Sequence, residues 1–112
     1  MKIVTNSKLL RVLQLFKLQA SWVEAMAFNE TIYFKNEIVE SILPHEGCHI
    51  CQQREHGLIN FLYIYFWRER NIHYSYKKFE KKAYKIKSVA DLIKLYPEYP
   101  DVYNLIEKTL KR

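Results

Sequence analysis

Residues 44–57 read Pro44-His45-Glu46-Gly47-Cys48-His49-Ile50-Cys51-Gln52-Gln53-Arg54-Glu55-His56-Gly57, and how this stretch folds decides the reading of the whole chain. As a helix it places His45 and His49 one turn apart on the same face, with Cβ atoms ~5–6 Å apart, so both imidazoles can reach one Zn²⁺ at ~2.0–2.1 Å. Glu46 is rotated ~100° from His45 and stands beside such a metal, where it can act as general base on a water the metal activates. Gly57 suits a helix C-terminus. Pro44 is tolerated in a first turn and costs ~3 kcal/mol deeper in, so the regular helix is expected to begin near Leu43, after a separate turn or kinked lead-in over residues 37–42. As an unwound loop, the same residues spell Hx2Cx2Cx4H through His45, Cys48, Cys51 and His56, the ligand set of a structural zinc knuckle, and Pro44 and Gly47 favour a loop. The two readings exclude each other, because eleven steps of ~1.5 Å put His45 and His56 ~16 Å apart on a straight helix. On a helix, Cys48 and Cys51 become small core residues.

Upstream, residues 7–16 carry apolar side chains at helical spacings with Lys8, Arg11, Gln14 and Lys17 between them, which predicts an amphipathic helix. Residues 26–34 (MAFNETIYF) gather β-branched and aromatic types around Asn29-Glu30 and predict a strand or short hairpin, with residues 31–34 the best strand. Downstream, residues 58–70 (LINFLYIYFWRER) are apolar almost all round, which predicts a helix buried on most sides, the core helix of the fold. Trp22, Phe61, Phe66 and Trp67 are expected in the core. Residues 76–87 predict a helix with Phe79, Glu80, Ala83 and Tyr84 on one side and lysines on the other. Ser88 can cap a further helix over 89–96, and Pro97 and Pro100 separate it from a last amphipathic helix over 101–110. The expected fold class is α+β, predominantly α-helical, with a small β-strand or hairpin before the HExxH helix.

With 112 residues the chain fits one domain, and a doubly wound cofactor fold is excluded. Two glycines leave no Walker or dinucleotide-binding loop. The two cysteines cannot build a disulfide framework, no secretory leader opens the chain, and the longest apolar run is far short of the ~18 residues of a membrane helix. These features point to a reducing cytoplasm and no membrane. The net charge of +6 belongs to the stretch from residue 68 onward, where 12 bases face 6 acids, while residues 1–67 balance at six of each. Six lysines lie between Lys77 and Lys87. They read either as a solvated face beside a buried Phe79, Ala83 and Ile86 or as a patch for nucleic acid or an acidic protein.

A catalytic zinc needs a third protein ligand and an open fourth position. The compact one-helix arrangement, with a ligand six residues after the second His and a Gly between, fails here because Glu55 and Gln52 occupy those places. A carboxylate from a later helix is the alternative. Glu80 stands out, since it sits on the apolar side of a lysine-covered segment, where a buried carboxylate needs a partner. Tyr84, one turn on, is a candidate to orient that carboxylate or to donate to a transition-state oxyanion, with packing as its ordinary role; Tyr74 and Tyr76 are weaker choices. His56 and His73 read as surface or hydrogen-bonded histidines, and Gln52 and Gln53 as hydrogen-bonding groups near the site.

The sequence HEGCHICQQREHG, a following apolar helix and Phe79-Glu80-x-x-Ala83-Tyr84 together resemble the core of short zincin-like, gluzincin-type metallopeptidase domains over about residues 25–85. Pro44 stands where such domains carry an aliphatic residue, and Lys82 where they often carry a second acid. The resemblance implies a minimal zincin-like domain in which His45, His49 and Glu80 bind Zn²⁺, Glu46 is the catalytic base and the strand in MAFNETIYF lines a substrate cleft. Residues 88–112 would then be a basic helical C-terminal extension. The activity this implies is zinc-dependent hydrolysis of peptide bonds in a peptide or protein substrate. The competing expectation is a small binding or regulatory protein, with a structural zinc or an inactive site and a basic C-terminal face for nucleic acid or an acidic protein.

Overall fold

The computed structural model describes residues 1–15, 24–72 and 77–111; Phe16, Lys17, Trp22, His73, Tyr74 and Tyr76, which figure in the expectations above, lie outside them. Strand β1 (Lys2–Val4) is followed by helix α1 (Lys8–Leu15), then by β2 (Ala25–Phe28) and β3 (Thr31–Phe34). The sheet order is β1-β3-β2, with β1 parallel and β2 antiparallel to the central β3. β2 and β3 form the hairpin expected from MAFNETIYF, and β1 is a strand the sequence did not announce. Asn29 and Glu30 both take positive φ, 46° and 69°, which is what a two-residue type I′ hairpin turn demands. Glu30 has a non-Gly side chain in that region, and Arg54 holds it by two guanidinium bonds.

The long helix α2 (Leu43–His56) starts where Pro44 permits, at its first turn, after a single 3₁₀ turn over Glu40–Ile42. Ten of its residues are buried, from Leu43 through Gln53, including Glu46, His49, Gln52 and Gln53. It continues past Gly57 (φ 81°) into α3 (Leu58–Leu62) and a π-helical stretch, Tyr63–Arg68. Helices α4 (Lys78–Ala83), α5 (Val89–Leu95) and α6 (Pro100–Leu110) complete the described chain. Ser88 caps α5 by accepting from the Asp91 N–H at 3.2 Å, as its position suggested.

The principal core joins Ile32 and Phe34 of the sheet to Leu43, Cys48, Ile50 and Cys51 of α2, Ala83 of α4, Leu92 of α5 and Val102 and Ile106 of α6. The segment after residue 88 is therefore packed into the same core as the HExxH helix. Gly47 shows how closely: a Cβ there would lie 2.3 Å from Ile106 Cδ1 and 3.2 Å from Leu92 Cδ2. Glycine stands at this position because α6 and α5 press on α2, not because the segment is a loop. The unbroken helix also removes the geometry the knuckle required. Cys48 and Cys51 are free and fully buried, facing the core, while His56 lies at the far end of the helix against Phe79.

Residues 58–70 are not the core helix. Phe61, Ile64 and Tyr65 are buried with Phe79 in a smaller cluster, but Ile59 is 78% exposed, Trp67 60%, Tyr63 54% and Phe66 47%. Phe66 and Trp67 are thus surface residues. The cause is a one-sided support: this segment lies along the edge of α2, which is itself enclosed by the sheet and by α4 to α6. Helix α1 likewise buries only Leu10 fully, leaving Leu9, Val12 and Leu15 exposed. Ser7 caps it, its Oγ accepting from the Leu10 N–H at 3.1 Å. Among the described residues, no helix is long and apolar enough to cross a membrane.

Candidate metal centre

Helix α2 supplies His45 and His49 one turn apart, and α4 brings Glu80 against them. The His45 and His49 Nε2 atoms are 3.2 Å apart, and His45 Nε2 is 3.4 Å from Glu80 Oε1. Two ligands ~2.0–2.1 Å from a tetrahedral ion lie ~3.3 Å from each other, so these two edges already have the spacing of a metal triad. The third edge, His49 Nε2 to Glu80 Oε1, closes in direct contact. Among the described residues this is the group of His, Cys, Asp and Glu side chains able to hold a metal ion. Glu80 is fully buried, and its Oε2 has no hydrogen-bond partner. A fully buried carboxylate whose Oε1 meets two imidazole nitrogens and whose Oε2 has no partner is a cost in a purely structural site, and the set fits a divalent ion with mixed nitrogen and oxygen donors.

The electrostatics follow from burial and pairing. Burial pushes the Glu80 carboxyl up, but hydrogen bonds from His45 and His49 outweigh it and hold the group at about 2. Burial opposes charge on His49 as well; its contact with Glu80 and the nearby Glu46 carboxylate prevail and raise it. Glu46, also buried, is raised chiefly by desolvation, against the pull of both histidines and a backbone hydrogen bond from Ala27. Cys48 and Cys51 are each pushed up to about 12 by burial, so neither offers a thiolate at neutral pH.

A groove of about 430 Å³, counting its open mouth, runs past Glu46 and His49. Ala25 to Phe28 of β2 form one wall, and Phe61, Leu62, Tyr65 and Phe66 the other. β2 is an edge of the sheet, held to α2 by Gln53, whose side chain donates to Ala27 O at 2.8 Å and accepts from the Asn29 N–H at 3.0 Å. The opposite wall depends on the π-helical turn. There the Glu69 N–H donates to Ile64 O, five residues back, and the Tyr65 carbonyl accepts from Lys77 Nζ at 2.9 Å. Tyr65 stacks on Phe61 with its ring centroid 6.3 Å from that of His49.

The structure brings together His45, His49, Glu80 and, on the same helix, Glu46. Tyr84 is 46% exposed, with its ring centroid 4.9 Å from that of His45. His56 is elsewhere, paired with Glu55. Gln52, read from sequence only as a nearby hydrogen-bonding group, is fully buried between His49 and α4. The lysines of residues 77–87 divide largely as a solvated face does: Lys78, Lys81, Lys85 and Lys87 are exposed and Lys77 and Lys82 half-buried, while Phe79, Ala83 and Ile86 are buried. Comparison of the chain with protein-family models, with curated proteins and with solved structures gives no match.

Proposed function

We propose that the chain is a zinc-dependent metallopeptidase acting in the cytoplasm on a peptide or protein substrate laid along the groove between β2 and α3. The observation that carries this reading is the triad of partly buried His45 with buried His49 and Glu80, beside a groove that His49 and Glu46 line. His45, His49 and Glu80 would hold Zn²⁺, which would supply a Lewis acid for the scissile carbonyl and the attacking water. Glu46 takes the proton from the attacking water and passes it to the leaving amine nitrogen. Tyr84, with its ring centroid 4.9 Å from that of His45, is the candidate donor to a developing oxyanion. The exposed Lys78 and Lys81 put positive charge on the helix that carries Glu80, which favours acidic or nucleic-acid-bound substrates.

Metal analysis of protein purified without added zinc tests the reading. One equivalent of Zn²⁺ is expected, lost in His45→Ala and Glu80→Ala and kept in Cys48→Ser with Cys51→Ser. Glu46→Gln should keep the metal and lose peptide hydrolysis. A chain that takes up no Zn²⁺, or uptake unchanged by His45→Ala, defeats it. A chain that keeps its metal, is indifferent to Glu46→Gln and binds nucleic acid in a salt-dependent way through Lys78, Lys81 and Lys85 is instead a binding protein with a structural metal.

A further inference from the structure

We infer that Gln52 is a positioning residue that decides which nitrogen of His49 faces the metal and locks the two ligand-bearing helices in register. This rests on the zinc reading above. Gln52 is fully buried, three residues after His49 and on the same face of α2. Its side-chain nitrogen donates to the Phe79 carbonyl at 3.0 Å, and its side-chain oxygen lies 2.8 Å from His49 Nδ1.

A carbonyl can only accept, so the amide nitrogen must face Phe79 and the amide oxygen must face His49. His49 Nδ1 therefore has to be the donor and carry a proton. In the neutral ring that a metal ligand must be, this leaves Nε2, the atom beside His45 Nε2 and Glu80 Oε1, to present its lone pair. The same amide ends on the peptide that directly precedes Glu80, so one side chain sets the ring of an α2 ligand and the backbone of the α4 ligand. An ionised glutamate at this place would still accept from His49 but would face the Phe79 carbonyl with no proton to give. Methionine, of similar length, would do neither.

The test uses the full chain with Zn²⁺ alone. Chelator competition should show Gln52→Met binding Zn²⁺ ~10–100-fold more weakly than wild type, the usual cost of losing such an outer partner, with Gln52→Glu in between. A long-range proton–nitrogen spectrum of the zinc-loaded wild type should show His49 protonated at Nδ1, with that proton exchanging with water faster in Gln52→Met. Gln52→Met binding Zn²⁺ within about twofold of wild type overturns the inference. So does a wild-type spectrum with His49 protonated at Nε2, a result that decides the matter even where the variants do not fold. Absence of Zn²⁺ uptake by the wild type defeats the zinc reading and this inference together, and is distinguished by appearing without any change at Gln52.

Discussion

Helix α2 and the segment that follows it invert the usual relation between hydropathy and burial. α2 (LPHEGCHICQQREH) is rich in polar groups and yet is buried through ten of its residues; residues 58–70 are apolar almost throughout and expose Ile59, Tyr63, Phe66 and Trp67. The difference teaches that a polar residue can be buried when each of its atoms is assigned a partner, and that an apolar one is buried only where something stands opposite it. On α2, Gln53 bonds the hairpin, Gln52 bonds His49 and α4, Glu46 accepts from Ala27, and Arg54 grips Glu30 and Asp101. The only buried side-chain nitrogen or oxygen atoms without hydrogen-bond partners among the described residues are Glu80 Oε2 and Tyr96 OH, and the first belongs to the carboxylate of the group that could hold a metal ion. The segment after Gly57 meets α2 with one face, so its remaining apolar side chains are left in solvent.

The largest break in this contrast should come from truncating an apolar residue of the polar helix. Ile50→Ala is expected to cost ~2–5 kcal/mol in denaturant unfolding, since Ile50 is fully enclosed. Gly47→Ala should come next, at ~1–3 kcal/mol, because its new methyl group meets Ile106 Cδ1. Shortening Ile106 to valine in the same chain should recover part of that loss, and simple additivity of the two changes would show that the close approach is not the cause. Gln53→Met should cost ~1–3 kcal/mol by stranding Ala27 O and the Asn29 N–H, with faster hydrogen exchange confined first to the hairpin.

The clamp around Arg54 gives a smaller effect with a definite sign. Hydrogen bonds from Arg54 hold the Glu30 and Asp101 carboxyls below their ordinary values of 4.5 and 3.8, so the stabilisation is complete above that range and is lost as pH falls through it toward the folded-state values. Arg54→Met should flatten the melting temperature between about pH 5 and pH 2, and the contribution removed should stay within ~1 kcal/mol because both acids are half exposed. An unchanged acid limb would show that the clamp carries no linkage. Smallest of all, Ile59→Ser should move stability by no more than ~0.5 kcal/mol despite removing a large apolar side chain. A loss comparable to that of Ile50→Ala would mean that residues 58–70 have a partner in solution.

Most of the secondary structure was legible because it rests on local chemistry. Pro44 and Ser88 mark helix starts, Gly57 an end, and Asn29-Glu30 between apolar residues a tight turn, and each works through the few residues around it. β1 was not legible, for three residues contain no period to read, and it exists only because β3 offers it an edge. The burial of 58–70 was misread because apolar content says what burial would gain and not whether a neighbour is there. Gly47 was ambiguous for a related reason: a glycine in a helix and a glycine in a loop look the same until Ile106 and Leu92 are seen against it.

For the candidate site, the sequence by itself determined that His45, Glu46 and His49 would share one helix turn, since a spacing of four on a helix imposes that geometry wherever the helix lies. It also marked Glu80 as a carboxylate among apolar neighbours. Only the tertiary structure decided that Glu80 meets the histidines rather than some other base, and that Gln52 reaches the Phe79 carbonyl of α4. It decided too that Cys48 and Cys51 turn away into the core. These are meetings between α2 and helices tens of residues later in the chain, set by how the enclosed helix packs against all its neighbours at once, and no local pattern contains them.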